Sequence, residues 1–370
     1  MNINLDNKDA LSGNLLAGGN SPLANSSGYN VSPLAASQME AGEIRLNKVT
    51  REWVIYAPSR RKRPQDFQKI NRAKQSLESL ERKCPFCPGN EHMSDAIVLE
   101  MPNRQQNFWQ TRVVPNKFPA LTPDAHTHRS TEGIYIAMGG YGRHDVIVES
   151  PEHDQDIATM SKEDVEIVIE TYHRRYIDVM LVHENMMAII FRNHGERAGA
   201  SLKHPHSQII VTGVVPQHRR YREEQAQHYF DVWGRCVYCD ILEFERNNHR
   251  RVIEENQSFL AFIPFAAEVP FEIWIMPKNH QADFGSISDQ EKSDFTLILK
   301  NVLTNLYEKL NDPDYNYVIN TAARYKAEEP QVHWYCQIHP RLTTQAGFEL
   351  GAGISINPSL PELDADFLNA

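Results

Sequence analysis

His204-Pro-His206-Ser-Gln208 puts two imidazoles and an amide at alternate positions of a short stretch. On a strand, such positions share a face, about 6.6 Å apart at ~3.3 Å per residue. The stretch follows Asn193-His-Gly-Glu-Arg-Ala-Gly199-Ala-Ser201. Small residues there permit close backbone approach, and amides and a hydroxyl can hold phosphate oxygens. A neutral imidazole beside such a cradle is a nucleophile for phosphorus. Gln208 adds an uncharged donor that can stabilise a non-bridging oxygen without quenching that imidazole. His206 is the expected nucleophile, because a second pattern claims His204.

That pattern pairs cysteine with histidine. Four of the five cysteines form Cys84-Pro-Phe-Cys87 and Cys236-Val-Tyr-Cys239. The spacing from His153 to His204 almost equals that from His280 to His333. Two ligand sets follow: Cys84, Cys87, His153 and His204, then Cys236, Cys239, His280 and His333. Two soft thiolates with two imidazoles suit tetrahedral zinc and leave no open position for water. The expectation is two zinc ions per chain, each joining a loop, a strand end and a second strand.

The elements that must carry these residues read as a repeat. In the first half, strand His144–Glu149 leads to a helix that Ser161 caps and that runs through Met180. Strands Met187–Phe191 and His204–Val211 follow. In the second half, strand Phe271–Met276 precedes a helix capped by Ser288 that runs through Leu310. Strands Tyr315–Asn320 and His333–His339 close it. Matching order and spacing imply two tandem α+β units, each a mainly antiparallel sheet with packed helices. The expected boundaries are a disordered tail over 1–40, a catalytic unit over 41–230 and a second unit over 231–370. In the second unit, Tyr335 stands where His206 stands in the first, and no glycine-rich loop precedes it. One unit is thus expected to be active and the other to keep only its metal.

Composition sets the outer bounds. The 370 residues carry a formal charge of −10 and are 41% hydrophobic. That is enough for a sizeable core and argues against a nucleic-acid binder. No apolar run reaches the ~20 residues of a membrane span. No secretory signal or arginine-rich transit segment opens the chain, so the expected location is cytoplasmic.

His-Pro-His-Ser-Gln after Asn-x-Gly-x-x-x-Gly-x-Ser resembles the galactose-1-phosphate uridylyltransferase family, a branch of the histidine-triad superfamily. Trp53–Pro64, Cys84–Cys87, Val114–Leu121 and Gly347–Glu349 extend the resemblance over nearly everything after residue 43. It implies ping-pong transfer of a nucleotidyl group from an NDP-hexose through His206 to a sugar phosphate. It also implies that Asn193, Gly199, Ser201, Gln208, Arg60 and Arg63 hold phosphates. Asn116 and Phe118 would contact the nucleoside, and Phe348 and Glu349 the hexose. A homodimer is implied as well. Histidine-triad hydrolases commonly carry a third His where Gln208 stands, so Gln208 favours transfer. Where uridylyltransferases commonly show Asn-Asp-Phe, this chain has Asn116-Lys117-Phe118. The ending Phe348–Pro358 resembles a plant-type branch that includes ADP-glucose phosphorylase, whose acceptor is inorganic phosphate.

Overall fold

Ser161 and Ser288 do start long helices. In a computed structural model that describes residues 42–57, 83–94, 96–103 and 108–370, the chain forms fifteen strands and six α-helices among those residues. The expected tail and the basic run bearing Arg60 and Arg63 lie outside the described residues. A hairpin of β1 (Glu43–Leu46) and β2 (Trp53–Tyr56) comes first. Then come β3 (Leu99–Pro102), β4 (Trp109–Pro115), an exposed hairpin of β5 (Arg129–Glu132) and β6 (Tyr135–Met138), and β7 (Gly142–Val148). Helix α1 (Lys162–Met180), β8 (Met187–His194) and β9 (His206–Thr212) complete the first half.

Helices α2 (Gln217–Trp233) and α3 (Val237–Asn248) lead into the second half. There β10 (Val252–Glu255), β11 (Phe259–Phe262) and β12 (Ile273–Pro277) precede α4 (Asp289–Leu310). Strands β13 (Tyr315–Asn320) and β14 (Tyr335–Pro340) follow, then α5 (Gly347–Ala352), β15 (Ser355–Asn357) and α6 (Pro361–Asn369).

Ten strands make one sheet in the order β10-β11-β12-β14-β13-β8-β9-β7-β4-β3, antiparallel throughout. The two halves therefore meet edge to edge, where β8 pairs with β13. The register bears out the repeat residue by residue. Phe191 faces Gln208 across β8–β9, and Val318 faces Gln337 across β13–β14. Two positions on, Asn320 faces Tyr335, which makes Asn320 the counterpart of Asn193 and Tyr335 that of His206.

Apolar residues three and four apart give α1 and α4 their buried faces. Val165, Val168, Ile169, Tyr172 and Tyr176 of α1 enter the same core as Ile298, Leu299, Val302, Leu303 and Leu306 of α4. The Ser161 hydroxyl accepts the Asp164 N–H, and Ser288 forms a full capping box with Glu291. Truncating one of these core leucines to alanine would cost about 2–5 kcal/mol. This helical layer covers one face of the sheet and fixes which side chains of β9 can face elsewhere.

Two expectations are corrected. The strands bearing the chemistry begin at His206 and Tyr335, not at His204 and His333. Pro205 has no N–H to give a ladder, and its carbonyl accepts the Glu149 N–H at 3.0 Å. His204 and His333 thus sit on the turns entering the strands, and strand alternation does not govern where they point. The second cysteine pair is not on a loop either. Cys236 occupies the N-cap position of α3 and Cys239 lies in its first turn.

Candidate active site and metal clusters

His206 opens β9 and is buried. Its Nδ1 lies 2.8 Å from the His204 carbonyl oxygen. A carbonyl only accepts, so Nδ1 carries the proton and Nε2 keeps its lone pair. Burial lowers the pKa, which favours the neutral ring. Phe86, between the two cysteines of the first pair, packs against this imidazole at 5.6 Å between centroids.

Ser207, one residue on, turns to the helical layer, as strand alternation requires. There its hydroxyl donates to Glu149, and the Tyr172 hydroxyl meets both groups. Glu149 also receives Arg192 Nε at 2.9 Å, and Arg192 Nη2 reaches Asp156 at 3.0 Å. These fully paired buried charges tie β7, β8 and β9 to α1. The seryl anchor leaves His206 and Gln208 to the opposite face.

Gln208 is oriented by a residue that the sequence reading missed. The Ala120 N–H donates to His144 Nδ1 at 3.2 Å, so the His144 proton is on Nε2. Nε2–H donates to Gln208 Oε1 at 2.8 Å. Asn116 Nδ2 also approaches that oxygen, at 3.5 Å, while Asn116 Oδ1 accepts the Phe118 N–H at 2.9 Å. With its oxygen so engaged, Gln208 keeps its amide N–H groups for a substrate oxygen.

Asn193 is set in the same way from the second half of the chain. Asn316 Nδ2 donates to Asn193 Oδ1 at 2.7 Å and to the Ala198 carbonyl at 2.8 Å. The Asn193 amide nitrogen is thereby the group available as a donor. Gly195 and Gly199 have φ of 85° and 88°, where side chains are disfavoured. A Cβ on Gly195 would lie 2.2 Å from Asp314 Oδ1, and Asp314 Oδ2 accepts the Arg197 N–H at 2.8 Å. His194 bridges Asp156 at 2.8 Å and Asp312 at 2.7 Å. Burial opposes charge on that ring, but the Asp156 carboxylate outweighs it and raises the pKa to about 9. Asn316, Asp312 and Asp314 belong to the far end of the sequence, so no local signal marked them.

Both cysteine–histidine sets assemble. In each, one donor atom per residue lies within 4.8 Å of all the others. Cys87 Sγ is 3.2 Å from His153 Nδ1 and 3.5 Å from His204 Nδ1. Cys239 Sγ is 3.3 Å from His280 Nδ1 and 3.6 Å from His333 Nδ1. His204 Nε2 meets the Ser150 carbonyl at 2.8 Å, and His333 Nε2 meets the Pro277 carbonyl at 3.0 Å. A proton held on Nε2 leaves the Nδ1 lone pair aimed at the thiols, the arrangement a metal-ligating histidine needs. Donor type and geometry in both sets fit a metal ion such as zinc. The first set is wholly buried, whereas His280 of the second is exposed.

The remaining expected contacts are scattered. Phe118 is 83% exposed and offers a free ring face. Phe348 is half exposed on α5, and Glu349 accepts the Ala346 N–H at 3.0 Å. Among the described residues, no hydrogen bond joins Glu349 to His206 or Gln208. No helix among them is long and apolar enough to cross a membrane.

Family models agree with this picture along most of the chain. Residues 34–216 match the galactose-1-phosphate uridyl transferase N-terminal domain, and residues 218–348 match the C-terminal domain. The ADP-glucose phosphorylase of Arabidopsis thaliana is 36% identical over 329 residues, covering 87% of this chain and 91% of that protein. The galactose-1-phosphate uridylyltransferase of Thermotoga maritima is 28% identical, covering 86% and 95%. The crystal structure of the Arabidopsis ADP-glucose phosphorylase with bound ADP-glucose superposes with a TM-score of 0.75 at 32% identity, covering 89% of this chain and 99% of that one. A uridylyltransferase structure gives 0.68 at 25% identity, covering 88% and 97%. The paired cysteine–histidine clusters, the His-Pro-His-Ser-Gln turn and strand, and the two matched halves place this chain in the galactose-1-phosphate uridyl transferase family, whose enzymes move nucleotidyl groups between hexose phosphates and related phosphate acceptors.

Proposed function

We propose that the chain transfers a nucleoside monophosphate from an NDP-hexose through a covalent His206 intermediate. One observation carries this reading: Nδ1–H of His206 is held by the His204 carbonyl at 2.8 Å, which leaves Nε2 as the free lone pair. In the first half-reaction, Nε2 forms a bond to the α-phosphorus and the bond to the bridging oxygen breaks. Hexose 1-phosphate leaves. In the second, an acceptor phosphate oxygen attacks the same phosphorus, the N–P bond breaks, and Nε2 regains its lone pair. Gln208 and Asn193, each with its amide oxygen already engaged, supply donors to the non-bridging oxygens. The loop of Gly199 and Ser201 and the cations Arg60 and Arg63 complete phosphate binding, with Asn116 and Phe118 at the nucleoside and Phe348 and Glu349 at the hexose. Zinc held by Cys84, Cys87, His153 and His204, and by the second set, would be structural, since four protein donors leave it no open position.

We favour ADP-glucose as donor and inorganic phosphate as acceptor, giving ADP and glucose 1-phosphate. Lys117 places a donor where an acceptor is common beside uridine, and the 36% identity to the Arabidopsis ADP-glucose phosphorylase points the same way. The second reading, uridylyl transfer to galactose 1-phosphate, rests on the likeness to the Thermotoga enzyme. Mass spectrometry after brief exposure to ADP-glucose or UDP-glucose, without acceptor, is expected to place an acid-labile adduct on the peptide bearing His206. An adduct elsewhere sinks the mechanism. Strong preference for UDP-glucose with an absolute need for galactose 1-phosphate would replace the first reading by the second.

A further inference from the structure

The second half of the chain contains a pocket that the catalytic reading leaves unused. It lies where the active site would lie if that half were active. Asn320, the register counterpart of Asn193, lines it together with His333 and Tyr335, the counterparts of His204 and His206. Its enclosed part is small, about 20 Å³, and its mouth opens to solvent. Helix α2 adds four residues to the wall, Arg219, Arg222, Glu223 and Ala226.

Both guanidinium groups lack a carboxylate partner among the described residues. Arg222 is 8% exposed, Nη1 donates to the Tyr335 hydroxyl at 2.9 Å, and buried Nε has no hydrogen-bond partner. An uncompensated buried cation is costly, and an anion that supplies the missing acceptors removes the cost. Arg192, a buried arginine of the first half, shows the contrast: Glu149 and Asp156 neutralise it. Glu223 is the acid that lines the pocket; burial raises its pKa, and among the described residues it forms no ion pair with either arginine. Asn320 Nδ2 donates to Gln337 Oε1 at 3.2 Å and keeps a second N–H for an oxyanion oxygen.

We propose that this pocket is a second oxyanion site, non-catalytic, that takes a phosphate group between Arg219 and Arg222. Having Tyr335 in place of a nucleophile, it binds without covalent chemistry. Its occupancy neutralises the pair and braces α2 against β14.

Equilibrium dialysis with radiolabelled inorganic phosphate tests this on the full chain. Arg219→Gln is the first variant, because Arg219 is partly exposed and makes no ion pair. Phosphate affinity at one class of site is expected to fall at least about tenfold, the loss of one charge-assisted contact. Covalent labelling of His206 by an NDP-hexose is expected to stay unchanged, which separates this site from the catalytic one. Arg219→Lys, keeping the charge, should retain most binding and serves as the control for folding. Identical isotherms for wild type and Arg219→Gln would overturn the proposal, as would a wild type that binds no phosphate outside the catalytic site. Failure of His206 labelling would overturn the mechanism above and leave the Arg219 comparison intact.

Discussion

The two halves share a strand register but treat the nucleophile position in opposite ways. At His206 the imidazole has one ring neighbour described above, Phe86, and a free Nε2. At Tyr335 the ring packs against Trp274 at 4.7 Å and Tyr238 at 5.7 Å, and Arg222 takes its hydroxyl. Helices α2 and α3 bring that covering layer, which includes Val237, Tyr238 and Leu242. The same backbone therefore carries the proposed nucleophile in one half and a ring packed into an aromatic cluster in the other. What differs is the layer above the strand, since aromatic rings and Arg222 cover Tyr335 where His206 meets Phe86 alone among the rings described above. Metal geometry persists in both halves, because clamping a turn to a strand is useful whether or not chemistry follows.

The sharpest way to break the comparison is to delete each counterpart. His206→Gly is expected to lower nucleotidyl transfer by at least about 10⁴-fold, as loss of a covalent nucleophile does elsewhere, while folding and metal content persist. Tyr335→Phe should change turnover by less than about twofold and act on stability alone, since a hydroxyl bonded to Arg222 is lost. Comparable activity loss in both would mean that the halves are not divided in this way.

The metal sets differ in exposure, which gives a second test. Chelator titration followed by metal analysis is expected to remove metal from the second set first, because His280 is exposed while the first set is buried. Content should pass through a plateau near one ion per chain, about half the full complement of two closed sites. Cys239→Ser should reproduce that plateau with the His206 adduct still forming. Simultaneous loss of both ions would show that the sets are equivalent.

Gln208 and His144 offer a finer test within the first half. Gln208→Ala is expected to lower kcat about 10²-fold, the scale for one donor to a developing oxyanion. His144→Phe should lower it about tenfold, since Gln208 then loses its orienting partner. The double variant should be no worse than Gln208→Ala, because His144 acts through Gln208. Additive losses would give His144 an independent role.

The smallest effect concerns the loop after β8. His194 titrates near 9 when folded, above its unfolded value of about 6.5. Its pairing with Asp156 thus contributes fully below about pH 6.5 and is lost as pH rises through 9. The Asp156 carboxyl is held below its usual range, so its share is lost only in strong acid. Melting temperature is expected to fall by several degrees between pH 6.5 and 9.5 in wild type, and to fall by less in His194→Gln. A parallel loss is expected from the second half, where His339 meets Glu272 at 3.4 Å and that carboxylate raises its pKa against the effect of burial.

Residue type and spacing alone marked the two cysteine–histidine clusters that the fold assembles, the repeat, and His206 as the proposed nucleophile. Thiolates and imidazoles have few partners of matching chemistry, and a duplicated spacing is hard to produce by accident. Ser161 and Ser288 marked helix starts because capping is local. Strand alternation made Ser207 an anchor and Gln208 a partner of His206. It misplaced the start of both strands, because Pro205 has no N–H for the ladder and both His204 and His333 turn toward the thiols. Only the tertiary structure joined the halves into one sheet through β8 and β13. That junction sets Asn316 against Asn193 and Asp314 against Gly195, and the fold likewise brings His144 to Gln208. These side chains choose which end of an amide faces a substrate. The choice depends on atoms brought together from distant parts of the chain, so no window of sequence contains it. The unpaired arginines of α2 teach the same lesson: a charged helix reads as solvent-facing until the fold shows which of its cations are buried.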